Sequence, residues 1–252
     1  MAIGMAACFL ILQYVRFERS YDRFHENADR IYRVILERDQ DLSAANHPGV
    51  GPALKADFPE VEEYARMAHQ SIHLGDNVAV SYEDEQGNIK MFNEDRVYNV
   101  DPSFLTLFSF PFVYGDTENA LSDASLIVIS ESISRKFFGS ENPMGKTLHL
   151  LGRFPFTVNG VFQDVPENSH IQFDILIASW AYRNEGDYNK EGSWKWPEFY
   201  TYVKLDPLAD PQQLEAKFPE FMQKYLGERM KEMNNEERLH LQGISIPGQQ
   251  TQ

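Results

Sequence analysis

The first fifteen residues, MAIGMAACFLILQYV, constrain this chain more than any other segment. They are apolar apart from Gln13, and the run stops at Arg16. As a helix, fifteen residues rise roughly 22 Å, short of the roughly 30 Å hydrocarbon core of a bilayer. A secretory signal would place a basic region ahead of its apolar stretch, and nothing basic precedes Ile3. A lipoprotein site could use Ala6-Ala7-Cys8, but its cysteine should end the apolar run. Here Phe9-Leu10-Ile11-Leu12 continue it. Residues 1–16 therefore read as the C-terminal part of a membrane helix whose beginning lies outside the chain. The alternative is a buried N-terminal helix of a soluble protein.

The residues after Arg16 extend the same reading. Phe17, Tyr21, Phe24, Ala28 and Ile31 recur at intervals of three and four, which predicts a helix continuing as far as Ile31. Tyr14 and Phe17 would then sit where aromatic side chains favour the membrane interface. The chain carries 38 acidic against 23 basic residues, a net charge of −15. The stretch from Arg16 to Arg38 is almost balanced, so the excess belongs to the domain beyond it. So acidic a surface excludes nucleic acid as a partner, because phosphate needs a basic face. With 42% hydrophobic residues and 13% aromatics, the 252 residues can build a core, as one large domain or two small ones. Cys8 is the only cysteine, which leaves no intrachain disulfide.

Turn chemistry divides the remainder. Ile31 to Leu36 reads as a strand. Residues 48–52 form a loop leading into a short helix that stops before Phe58-Pro59. Val61 to Leu74 is extended. Val78–Tyr82 and Ile89–Phe92 flank a Gly87-Asn88 tip and read as a hairpin. Asp101 is placed to cap a helix running to Phe108, with Pro102 in its first turn. Leu126–Ile129 is a buried strand, Ser130 caps a helix to Phe138, and Gly139 ends it. Leu148–Leu151 and Phe154–Phe162 pair across Gly152-Arg153. Ile171–Trp180 and Phe199–Leu205 are further strands. Pro211–Gly227 reads as one amphipathic helix with Leu214, Phe218, Phe221, Met222 and Tyr225 on one face. The fold class is α+β. Residues 17–75 and 171–242 are expected to form one subdomain, with 76–170 inserted as a β-rich second and 243–252 as a flexible tail.

Candidate chemistry is sparse. Ser140 to Thr147 ends in Gly-Lys-Thr like a phosphate-binding loop, but Ser140 stands where its first glycine belongs. Pro143 also removes a backbone donor, and a helix precedes the loop where a strand should. It reads as a turn. His69 and His73 share a face of an extended segment but lie roughly 13 Å apart there, too far for one ion. Glu83-Asp84-Glu85 reads as a solvated turn tip. Ser130, Ser132 and Ser134 lack a nucleophile elbow. No catalytic, metal or cofactor residues emerge, and no cofactor is expected. Trp194 and Trp196, with Tyr200, could contact a peptide or glycan, although packing explains them as well.

Several ordered runs carry a resemblance. They are Ile129-Ser130-Glu131, Phe137-Phe138-Gly139, Asn142-Pro143-Met144-Gly145-Lys146, Phe156 to Val161, and Asp164 to His170. With Ala2 to Ala6, Phe17 to His25 and Asn27 to Tyr32, they resemble the periplasmic core domain of MacB-type ABC transporter permeases, within the wider FtsX/LolC-like group. The resemblance spans roughly residues 2–240. It implies a porter-like α+β subdomain split in sequence around an inserted β-rich one. It implies a non-enzymatic role as well, in which ATP-driven movement of membrane helices is transmitted to the periplasm for export, lipoprotein release or control of a periplasmic partner. The implied partners are a cytoplasmic ATP-binding subunit, a second permease in a homodimer or heterodimer, the membrane, and a periplasmic substrate or partner protein. The implied location is the bacterial inner membrane, with the main domain in the periplasm. A membrane-tethered module binding peptide or glycan through the Trp194–Trp196 loop is the rival reading.

Overall fold

The computed structural model describes residues 2–70, 77–178, 193–195 and 197–245. The chain opens with helix α1 (Ala2–Glu18). Strands β1 (Ile31–Arg38), β2 (Asp41–Ser43) and β3 (Ala45–Asn46) precede helix α2 (Val50–Asp57) and strand β4 (Val61–His69). The hairpin β5 (Val78–Glu83) and β6 (Ile89–Glu94) leads to β7 (Val97–Val100), α3 (Phe104–Leu107) and β8 (Phe112–Tyr114). Then come β9 (Leu126–Ser130), α4 (Glu131–Phe138), β10 (Thr147–Leu150), β11 (Phe154–Phe162) and β12 (Ile175–Ala178). Strand β13 (Phe199–Leu205), helices α5 (Pro211–Glu215) and α6 (Phe218–Met233) and strand β14 (Glu237–Gly243) close the domain.

The described strands join one mixed sheet in the order β14-β1-β13-β4-β7-β12-β9-β11-β10-β5-β6, with β2, β3 and β8 attached to β1, β13 and β11. β9 lies parallel to β11 and β7 parallel to β12, while the other pairs are antiparallel. The α+β class expected from the sequence is the one found. β7, from the segment 76–170, sits between β4 and β12.

Three apolar clusters hold the sheet. At one end Leu54, Val203, Phe218, Phe221 and Leu226 pack α2 and α6 against β1, β13 and β14. At the other end Val80, Ile127, Phe137, Leu150 and Ile177 pack α4 against β5, β9, β10 and β12. Between them Phe104, Phe108, Phe162, Phe173 and Tyr202 form an aromatic centre. Burying one such ring contributes roughly 1.5–3 kcal/mol, so these clusters dominate the stability of the fold.

Local chemistry accounts for the element ends. The Ser130 Oγ accepts the N–H of Ile133, as the cap rule requires, and Gly139 adopts φ 65° where α4 stops. Three expectations need correction. The helical stripe to Ile31 does not form, because α1 ends at Glu18 and residues 19–30 are turns. Asp101 does not cap a helix with its side chain. Its carboxylate accepts from Arg66 N, Nε and Nη2 at 3.0, 2.7 and 2.9 Å. The single helix from Pro211 to Gly227 is two helices, since Pro219 has no N–H to offer the Glu215 carbonyl one turn back.

α1 stands outside these clusters. Phe9, Leu10, Ile11 and Leu12 are between 61% and 67% exposed, so the buried-helix alternative does not hold. No described helix is long and apolar enough to cross a membrane. The C-terminal stretch reaches further into the fold than its composition suggests: Gly243 pairs with Tyr32, and Ile244 is buried. Residues 246–252 lie outside the described residues.

Candidate functional site, the helix-to-sheet connector

Residues 19–30 join the exposed apolar helix to the sheet, and their side chains bind three separate parts of the domain. Asp22 is the first anchor. It is buried and sits at φ 55°, a left-handed conformation that aspartate tolerates better than most residues. Its N–H donates to the Asn168 carbonyl at 3.0 Å. Its carboxylate accepts from Ser169 Oγ at 3.0 Å, His170 N at 3.1 Å and His170 Nδ1 at 2.7 Å. A carboxylate here only accepts, so His170 carries its proton on Nδ1. Its Nε2 lies 3.0 Å from the Tyr202 hydroxyl. Tyr202 is fully buried in β13, and burial pushes its phenol up. A polar chain thus runs from the connector through His170 into the middle of the sheet.

The same segment grips the end of α1. Phe17 O accepts from Ser20 N at 2.9 Å and Ser20 Oγ at 2.6 Å, closing the last turn of the helix. Asn168 Nδ2 then donates to Ser20 O and Oγ, both at 3.0 Å. The run Asn168-Ser169-His170 therefore reads both the helix end and Asp22, and it stands four residues ahead of the start of β12 at Ile175.

His25 and Arg30 are further anchors. His25 accepts the Ser109 N–H on Nδ1 at 3.1 Å, and Glu26 N donates to Ser109 Oγ at 3.1 Å. The His25 ring lies 5.0 Å from Phe108 and 4.9 Å from Phe110, and its Nε2 is buried with no partner among the described residues. Burial lowers its pKa to about 4, against the opposing pull of the Asp22 carboxylate. Arg30 donates to the Leu205 carbonyl at 3.0 Å, to Glu62 at 2.9 Å and to Asn27 at 2.6 Å. Twelve residues are thus tied to the 168–170 run, to the segment after α3, and to β13 with β4.

The residues singled out from the sequence fall elsewhere. Trp194 stacks on Tyr225 with centroids 4.8 Å apart and 17° between planes, and it meets Phe221 at 6.0 Å. Arg229 donates to its carbonyl, and Ser193 O accepts the Gly49 N–H. Tyr200, on β13, packs against the aromatic centre instead. Among the described residues no ring contact joins the two. Trp196 lies outside the described residues, as does His73. His69 Nε2 is 2.5 Å from the Asp95 carbonyl. In the Gly-Lys-Thr turn the Gly145 N–H is spent on Val158 O at 2.8 Å, and Lys146 pairs with Glu141. Ser132 Oγ donates to Asp164 at 2.7 Å. No group of three or more His, Cys, Asp or Glu among the described residues could hold a metal ion.

A second polar network sits on the rim. An open groove of about 610 Å³ between α5 and β14 is lined by Glu215, Phe218, Arg238 and His240, among others. His240 Nδ1 lies 2.9 Å from Glu215 and Nε2 lies 2.7 Å from Glu37. The second oxygen of Glu215 accepts the Leu241 N–H at 3.0 Å, capping an outward backbone donor of the edge strand. Burial works against the charge on His240, but the two carboxylates outweigh it and raise its pKa.

Comparison with known proteins agrees with this architecture. The family described as MacB-like periplasmic core domain matches residues 1–221. A permease domain from Porphyromonas gingivalis superposes with a TM-score of 0.71 at 24% identity, covering 87% of this chain and 91% of that one. The periplasmic region of MacB from Actinobacillus actinomycetemcomitans gives 0.59 at 13% identity, over 86% and 90% of the two chains. The extracellular domain of the noncanonic ABC-type transporter YknZ from Gram-positive bacteria gives 0.51 at 12%, over 84% and 98%. No curated protein matches the sequence significantly.

Proposed function

This chain belongs to the family of MacB-like periplasmic core domains of ABC-type permeases, and from that premise we propose that residues 19–30 are the joint through which movement of α1 reaches the sheet. In this reading α1 belongs to the membrane-anchored part of the permease, in the bacterial inner membrane, and the sheet stands in the periplasm. The domain has no catalysis of its own. It converts ATP-driven displacement of the membrane helices into displacement of the periplasmic surface, for export, lipoprotein release or control of a periplasmic partner. The implied partners are a cytoplasmic ATP-binding subunit and a second permease.

One observation carries the reading. The exposed apolar helix is hydrogen-bonded at its last turn, through Ser20 and Asp22, to the run that stands four residues ahead of the central strand β12. A flexible tether would leave the helix free to turn without the sheet; here the turning helix takes residues 168–170 with it. The two subdomains are part of the same proposal. The cluster around Phe218 and Phe221 draws only on residues outside 76–170, whereas the cluster around Phe137 and Leu150 is built mostly within that segment.

The test uses the membrane-embedded permease with its ATPase. Spin labels on the periplasmic surface should report an ATP-dependent change in distance between the two permease copies. Asp22→Ala combined with Asn168→Ala should leave ATP hydrolysis in place and abolish most of that change. An unaltered change in the double variant sinks the proposal. Protection of the domain from protease in spheroplasts would sink the topology.

A further inference from the structure

The two edges of the sheet are finished differently, and the difference points to a binding surface. At the β14 edge, Leu241 N–H is capped by Glu215, and the Glu237 N–H lies 3.3 Å from Met230 Sδ. Helices α5 and α6 flank that edge. At the other extreme, β6 is the last strand in the order, and its outer side has no backbone partner among the described residues. An exposed row of backbone donors and acceptors is a template for strand addition.

The guards on β6 are the two charges turned toward α4, Lys90 and Glu94. It contains no proline, and its one lysine is turned inward, with Lys90 Nζ donating to the Phe137 carbonyl at 2.7 Å. Phe92 also faces α4, 5.2 Å from the Phe137 ring. The opposite face offers Ile89, 65% exposed, and Met91, 59% exposed, where a soluble edge would carry charge. The hairpin is nonetheless rigid, since β5 buries Val78 and Val80 and the Asp84 carboxylate ties the turn through Gln86 and Asn88. The surface is preformed, so little ordering cost opposes binding.

Charge selects the partner. Residues 83–96 carry Glu83, Asp84, Glu85, Glu94 and Asp95 against Lys90 and Arg96, an acidic excess, and Glu94 is engaged by Lys136 at 2.6 Å. A second copy of this chain paired at the same edge would bring the same acidic excess against it. Like charges so placed oppose pairing. We infer that β6 receives an extended segment of a partner polypeptide that alternates apolar and basic side chains, added as the next strand of the sheet. This does not depend on the joint proposed for residues 19–30.

The probe is the peptide acetyl-Lys-Val-Lys-Ile-Lys-Val-Lys-amide, with the all-Glu counterpart as comparison, and the readout is hydrogen exchange of the intact chain. The lysine peptide should protect amides in 89–94, and the glutamate peptide should bind at least tenfold more weakly. Met91→Lys, at an exposed position, should weaken the lysine peptide at least tenfold, while Leu208→Lys, at a remote and 95% exposed site, should leave it unchanged. Protection elsewhere, equal protection by both peptides, or none at all overturns the proposal. So does concentration-dependent protection of 89–94 without peptide, which would identify the occupant as a second copy.

Discussion

Two networks in this domain set a histidine against carboxylates, and they behave in opposite ways. In the connector, Asp22 and His25 are 1% and 3% exposed, enclosed by Phe108, Phe110 and the 168–170 run. On the rim, the side chains of His240 and Glu215 are 38% and 35% exposed. Burial governs the first and lowers the pKa of His25, while proximity of two acids governs the second and raises that of His240. The connector is built to hold a fixed geometry away from water, and the rim trims the backbone of an edge strand. The same residue type is a structural joint in one place and a surface accessory in the other.

The largest expected effect breaks the joint. Asp22→Ala removes the acceptor for Ser169, His170 N and His170 Nδ1 at once and leaves those donors buried. Losing one partner of a buried polar network costs about 3–5 kcal/mol, which a urea titration would read as a large drop in midpoint. Glu215→Ala on the rim should cost less than ~1 kcal/mol. Equal costs would erase the distinction between the networks.

The next effect is acid sensitivity. His25 titrates at about 4 in the folded chain against an ordinary value of 6.5. Between those values the unfolded chain takes up a proton that the folded chain refuses. Stability therefore falls as pH drops from 6.5 towards 4, by roughly 3 kcal/mol, and levels off below. His25→Asn keeps an acceptor for Ser109 N and does not titrate. It should flatten that part of the stability–pH curve, and an unchanged slope would place the acid sensitivity elsewhere.

How much of this was legible in the sequence depends on range. Helix α4, with Ser130 as cap and Gly139 as stop, and the two hairpins at Gly87-Asn88 and Gly152-Arg153 are set by neighbours in the chain, and all three form. Strand β14 was not legible, because Glu-Arg-Leu-His-Leu-Gln-Gly is mostly polar, with only two leucines in seven residues, and its partner β1 lies some two hundred residues away. The connector shows the same limit. Its stripe of Phe17, Tyr21, Phe24, Ala28 and Ile31 has helical spacing, yet Asp22 takes a left-handed turn to reach partners 147 and 148 residues on. No local period encodes that. The available signal was the two runs Ser20-Tyr21-Asp22 and Asn168-Ser169-His170, both inside the segments that carry the family resemblance. Trp194 drew attention by residue type, and its stacked face is occupied by Tyr225.

The smaller predictions separate the histidines directly. The folded pKa of His240 lies above its ordinary 6.5, so its contribution is fully present below 6.5 and is lost as pH rises through the folded value. The contribution is screened by solvent and should stay below ~1 kcal/mol. Imidazole carbon resonances followed by NMR should show His240 titrating above 6.5 and His25 near 4. Salt gives the finest discrimination. At 1 M ionic strength the Debye length shrinks to roughly 3 Å, which weakens the pull of Glu37 and Glu215 on a partly exposed ring. The His240 value should then move back towards 6.5. His25 owes its shift chiefly to burial, and the Asp22 carboxylate that opposes it is itself buried, so its value should move far less. A salt response shared by both rings would mean that water reaches the connector, and the joint could then not hold α1 rigidly against the sheet.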